Sequence, residues 1–189
     1  HAEMSIVVIL TPPPPVVKAV NTALSQLPNA MDTPDARVMI YAIGLQESLF
    51  KHRRQVINKG GKLVPEGPAK GYWQFERGGG CRGVLERWST RDLARTLCVA
   101  HGVHATPQAL WDALEHNDVL AASIARLLLW TDPKPLPKRN EAGAEEAGWA
   151  YYLRTWRPGA WTRGNAQQRA DLRAKWHRHW ESAIKVVQS

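Results

Sequence analysis

The sequence is poor in cysteine. Only Cys81 and Cys98 occur in 189 residues. Two thiols are too few for a disulfide framework, and the count allows either one bridge or two free thiols. Long apolar runs are scarce as well. The run near the start reaches only from Ile6 to Leu10 and has no basic segment before it. It is too short for a signal peptide or a membrane span, so no export address and no stable membrane insertion are expected. No pair of histidines has trustworthy ligand spacing, so neither a metal nor another cofactor is expected. No internal repeat is visible. Strand-like alternation is also rare, which points to a mainly α fold.

What the sequence does contain is apolar content enough for a core, 44% of residues, and a length that suits one domain. Residues 1–15 read as a tag remnant before Met4 followed by an extended segment, and residues 16–189 as the single folded domain. Nine tryptophans are many for this length. Their flat rings can fill a core, or line a groove for sugars or bases. The net charge of +8 calls for an anionic partner: nucleic acid, a membrane surface or an acidic wall polymer.

The helices can be placed from periodicity and punctuation. Thr11–Pro15 is expected to be extended, because proline cannot continue a helix. Val16, Val17, Val20, Leu24 and Leu27 then repeat at helical spacing. Thr33, Pro34 and Asp35 read as the N-cap, first residue and acidic first turn of the next helix. Residues 51–71 are basic and rich in glycine and form a long loop, with a short hairpin at Gly60-Gly61. Further helices are expected after Ser89 or Thr90, after Thr106, over Asp118–Trp130, over Glu141–Trp156 and over Asn165–Val187. The Asp118–Trp130 stretch is apolar nearly all round and should be central. In the last helix, Leu172, Trp176, Trp180, Ile184 and Val187 share a face.

The most informative stretch is Arg37–Phe50, RVMIYAIGLQESLF. It carries apolar residues over about four helical turns. Glu47 falls on one of its apolar strips, three residues before Phe50 and four after Ile43. A carboxyl desolvated there favours its neutral form, and a neutral acid near physiological pH can donate a proton. Gly44, one turn back, offers space for a substrate beside it.

Three segments in order resemble the lysozyme-like lytic transglycosylases. The first is Glu47-Ser48 at the end of an apolar helix. The second is Gly67-Pro68-Ala69-Lys70-Gly71-Tyr72-Trp73-Gln74, with Trp73 where that family has methionine and Gln74 in its glutamine position. The third is Ala150-Tyr151-Tyr152, with Tyr152 where the family has asparagine. The Asp118–Trp130 helix after Asn117 resembles the one that supports the family's sugar groove. The chain's style is also similar to bacteriophage lytic enzymes, endolysins or virion-associated ones.

The resemblance implies a goose-type-lysozyme-like or soluble-transglycosylase-like helical domain that acts, as a monomer, on peptidoglycan glycan strands in the bacterial periplasm. A phage origin would supply delivery from the host cytoplasm or from the virion. It also implies a reaction. Glu47 would protonate the oxygen between N-acetylmuramic acid and N-acetylglucosamine, then take the proton of the C6 hydroxyl as that oxygen closes a 1,6-anhydro ring. Ser48, Trp73, Gln74, Tyr151 and Tyr152 would contact substrate or orient Glu47. Tyr151 is the expected donor to the Glu47 carboxyl. A hydrolytic muramidase would need a second carboxylate. Glu66, Glu76 and Glu86 are available for this, and Glu76 follows the Gln74 segment directly; it could equally pair with Arg53, Arg54 or Arg77. A different class, a basic helical nucleic-acid-binding protein, would use the charge, the tryptophans and the 90–114 segment.

Overall fold

The computed structural model describes residues 6–157 and 164–188. Eight α-helices and one small hairpin dominate these regions: α1 (Pro14–Ser25), α2 (Pro34–Ser48), β1 (Ile57–Lys59), β2 (Lys62–Val64), α3 (Arg82–Glu86), α4 (Arg91–Ala100), α5 (Pro107–Leu114), α6 (Asp118–Trp130), α7 (Ala144–Thr155) and α8 (Ala166–Gln188), with a short 3-10 helix at Asn29–Met31 and a π-helical turn at Arg77–Cys81. The fold is mainly α. Among the described residues no helix is long and apolar enough to cross a membrane.

α1 starts inside the proline run, at Pro14, so the expectation of an extended segment through Pro15 is corrected. Proline is tolerated in the first turn because the N–H it lacks would have no helical partner there. The segment before α1 is tied in as well: the Leu10 N–H donates to Ser182 Oγ of α8 at 2.8 Å.

α2 begins as its sequence dictates. The Ala36 N–H donates to Thr33 Oγ1 at 3.1 Å, Pro34 occupies the first turn, and Asp35 faces the positive end of the helix dipole. The helix is buried on almost every side. Val38, Met39, Ile40, Ala42, Ile43 and Leu45 are all at most 2% exposed. Each large apolar side chain buried so fully contributes ~1.5–3 kcal/mol. α2 packs against α8, and α1 packs against α6. α6 starts at its Asn117 cap, whose side chain accepts from the Leu120 N–H at 3.0 Å. It is buried nearly all round, with Ser123 and Arg126 among its enclosed residues, and packs against α1, α4 and α5.

The long loop after α2 is held by its own backbone. Gln55 N–H donates to Ala69 O, Gly67 N–H to Gln55 O, and Gly71 N–H to Arg53 O. The hairpin at its tip pairs Ile57 with Val64 and Lys59 with Lys62. Several of its cations are paired as well, Lys59 with Glu66 at 3.0 Å among them. Arg53 bonds both oxygens of Asp118, and Lys70 Nζ lies 2.9 Å from Asp112 and 3.8 Å from the centre of the Trp111 ring. Gly71 has a φ of +78°, and a Cβ there would come within 2.4 Å of the Leu114 carbonyl. This pins the loop to α5. Cys81 and Cys98 are both buried free thiols, so the bridge left open by the sequence does not form.

Candidate active site

Glu47 lies in the last turn of α2, one residue before the helix ends at Ser48. The backbone then reverses through two consecutive left-handed residues, Leu49 (φ 56°) and Phe50 (φ 54°). Gln74, at φ 55°, is the other non-glycine residue with positive φ among those described. Such conformations are strained for residues with a Cβ, and they cluster where a fold must aim particular groups. The turn is held by Ser48. Its hydroxyl donates to the Tyr72 carbonyl at 2.6 Å and accepts from the Phe50 N–H at 3.1 Å. Ser48 is thus engaged with the backbone on both sides and fastens the Glu47 turn to the Tyr72–Gln74 segment.

The Glu47 side chain is only 3% exposed. Two residues from the region of α7 grip its carboxyl. The Tyr152 hydroxyl donates to Oε2. Arg157 binds both oxygens, Nε to Oε2 at 3.1 Å and Nη2 to Oε1 at 3.2 Å. Burial raises the pKa of this carboxyl. Arg157 and Tyr152 pull it back in part, and the negative charge of Glu76 adds to the rise, so the net direction is upward. Burial, reinforced by Glu47, also keeps the Tyr152 phenol protonated, well above its ordinary value.

Glu47 opens onto a cleft of about 840 Å³. Gln74, Phe75 and Glu76 supply lining from the loop, Thr155, Trp156 and Arg157 from the end of α7, and Gln168, Asp171 and Lys175 from α8. Among the described residues Glu76 makes no ion pair: Arg53 is taken by Asp118, and Arg77 donates to Gln108 at 2.6 Å. The side-chain N–H of Gln74 donates to the Gly71 carbonyl at 2.8 Å, which braces its own turn rather than reaching Glu47.

Three expectations are corrected. Tyr151 does not touch Glu47; its hydroxyl donates to the Leu129 carbonyl at 2.6 Å, and Tyr152 makes the expected contact instead. Trp73 is 0% exposed, and its indole N–H donates to the Ile40 carbonyl at 2.8 Å, so it is a core residue and not a groove residue. The space at Gly44 is filled from within. A Cβ there would sit 2.2 Å from the Phe50 ring, so the glycine admits Phe50 and not a substrate.

Arg157 and Trp156 were missed from the sequence. Trp156 donates its indole N–H to the Trp73 carbonyl at 2.9 Å and so joins the α7 end to the Gln74 segment. They follow the third motif after Leu153, Arg154 and Thr155, and nothing in the local sequence marks them as site residues. One group of described residues, Glu145, His177 and Glu181, has metal-ligating atoms within 4.8 Å of one another. It lies between α7 and α8, and none of its members lines the cleft. Arg173 already pairs with Glu145 at 2.8 Å.

Compared with known proteins, the chain matches no family model, and no curated protein or solved structure shows significant similarity to it.

Proposed function

We propose that the chain is a lysozyme-like glycosidase that cleaves the β-1,4 bond between N-acetylmuramic acid and N-acetylglucosamine in peptidoglycan, with Glu47 as general acid. The observation that carries this reading is the carboxyl itself: almost fully shielded, raised in pKa, and lining a cleft of about 840 Å³. In the transglycosylase form, Glu47 gives its proton to the leaving oxygen and then, as carboxylate, removes the C6 hydroxyl proton as the 1,6-anhydro ring closes. The Tyr152 hydroxyl, which donates to Oε2, stabilises the carboxylate that exists between these two steps. Protonated Glu47 is the competent starting form, so turnover declines as pH climbs through its raised pKa.

Glu76 favours a second reading, a hydrolytic muramidase. It shares the cleft with Glu47 and has no cationic partner among the described residues, as a base that activates water requires.

The test is Glu47→Gln, assayed by turbidity loss of permeabilised Gram-negative cells with circular dichroism as the fold control. Loss of clearing by at least about a hundredfold is expected, and retained clearing rejects the assignment. Mass spectrometry of the released muropeptides separates the two readings, since the anhydro product is lighter by one water. DNA binding by the purified protein that persists at moderate salt, with no clearing, would favour the nucleic-acid class instead.

A further inference from the structure

The contact between Arg157 and Glu47 has a chemical consequence for the substrate. A carboxylic acid can protonate a sugar oxygen only from an oxygen that carries a proton and faces that sugar. Oε2 of Glu47 already accepts from the Tyr152 hydroxyl and from Arg157 Nε, and Oε1 accepts from Arg157 Nη2. Both contacts with Arg157 are charge-assisted, and protonation of Glu47 removes the negative charge that strengthens them. The two-point grip of Arg157 therefore favours the carboxylate and opposes the acid form. Glu47 becomes a readier acid when the guanidinium leaves.

Arg157 is placed to do so. Its side chain is 50% exposed, whereas that of Glu47 is 3% exposed. It follows the C-terminal end of α7 and lines the cleft together with Lys175 of α8. A guanidinium gives up a carboxylate readily only for another anion, because its planar fork loses two charge-assisted bonds on release. A neutral chito-oligosaccharide offers hydroxyls and acetamides. A peptide-bearing glycan offers carboxylates from its stem.

We propose that Arg157 is a latch over Glu47 that a carboxylate-bearing glycan opens, so that the cleft selects anionic glycans over neutral ones. This rests on the reading of Glu47 as general acid. In the resting cleft Arg157 pulls Glu47 toward the carboxylate, against the burial that favours its acid form. When a substrate carboxylate takes over the guanidinium, Glu47 binds a proton from solvent and passes it to the leaving oxygen as the C1–O bond breaks. Among the described residues, the charged and titratable groups that act on Glu47 are Arg157, Tyr152 and Glu76. Arg157 is the half-exposed cation among them.

The test compares wild type with Arg157→Gln on two substrates, solubilised peptide-bearing glycan strands and a neutral N-acetylglucosamine hexamer. Wild type is expected to prefer the anionic strands by at least about a hundredfold, and the variant to narrow that ratio to about tenfold or less by gaining rate on the neutral hexamer. An unchanged ratio overturns the latch. A second measurement does not depend on turnover: the ¹³C carboxyl resonance of Glu47, assigned by its loss in Glu47→Gln, is titrated with and without ligand. Muramyl dipeptide is expected to raise the midpoint in wild type by about one pH unit or more, and N-acetylglucosamine trimer to leave it in place. Equal shifts with both ligands, or no shift with either, overturn the latch. If Glu47→Gln retains cleavage, the general-acid reading fails, and the titration still reports separately whether Arg157 yields to an anion.

Discussion

The hydroxyl of Tyr152 donates to Oε2 of Glu47, across 105 positions of chain, while the adjacent Tyr151 turns its hydroxyl away to the carbonyl of Leu129 at 2.6 Å. Consecutive helical residues point about 100° apart, so only one of the two can face α2 at this height. The pair makes a controlled experiment.

Tyr152→Phe removes a bond that lowers the Glu47 pKa. The variant is expected to keep its fold, to lose about tenfold in kcat, the equivalent of one hydrogen bond, and to hold activity to higher pH than wild type. Tyr151→Phe instead removes the shorter of two bonds to the Leu129 carbonyl, which keeps the Asp132 N–H at 3.3 Å. It is expected to cost about 0.5–1.5 kcal/mol of stability with kcat unchanged. Peptidoglycan clearing across pH, beside urea unfolding, distinguishes the two.

Gly44→Ala places a methyl group 2.2 Å from the Phe50 ring, in a turn already strained at Leu49 and Phe50. Overpacking of this kind costs about 1–3 kcal/mol or more. A lower midpoint in denaturant is expected, together with reduced clearing, because Phe50 is part of the turn that sets Glu47. A midpoint equal to wild type would show that the ring has room to move.

His179 of α8 is 3% exposed, and burial, aided by Arg178 and Lys175, lowers its pKa to about 4. Its Nδ1 lies 2.6 Å from Gln46 Oε1, which fits a neutral ring donating from Nδ1. The sign follows from linkage. The unfolded chain takes up a proton near pH 6.5, and the folded chain does not until about pH 4. The stabilisation is therefore present above pH 6.5 and is lost as pH falls toward 4, by roughly 3 kcal/mol at most. Thermal melts between pH 7 and pH 4.5 are expected to show this loss in wild type and a flatter profile in His179→Asn.

Burial, with Cys98 as the smaller cause, pushes the Cys81 thiol up to about 12, and burial raises Cys98 too. Both are expected to resist a thiol reagent at pH 8 in the native protein and to react at once in denaturant. Rapid native labelling would contradict the burial of both thiols.

Helices whose ends carry chemical punctuation were legible in the sequence. Thr33-Pro34, Thr106-Pro107 and Asn117-Asp118 each start a helix where their side chains say they should. The hairpin at Gly60-Gly61 was legible for the same reason, since both glycines adopt positive φ. Glu47 stood out because a charge on an apolar strip is a local anomaly. Its partners did not, because nothing local separates Tyr151 from Tyr152 or marks Arg157 among 25 lysines and arginines. Which of them reaches α2 depends on how α7 is rotated against α8, a long-range packing result. Trp73 illustrates the opposite failure: an aromatic beside a motif read as groove, whereas its indole N–H had a backbone partner waiting inside the core.

α2 owes its surroundings to the end of the chain. Gln46 is held by the Leu172 carbonyl and by His179, and Glu47 by Tyr152 and Arg157, all of them contributed after residue 150. A ribosome that has made residues 1–130 has made the glutamate but not its enclosure. The carboxyl of the growing polypeptide stays hydrated, and it is driven toward its protonated form only once α7 and α8 have docked over it.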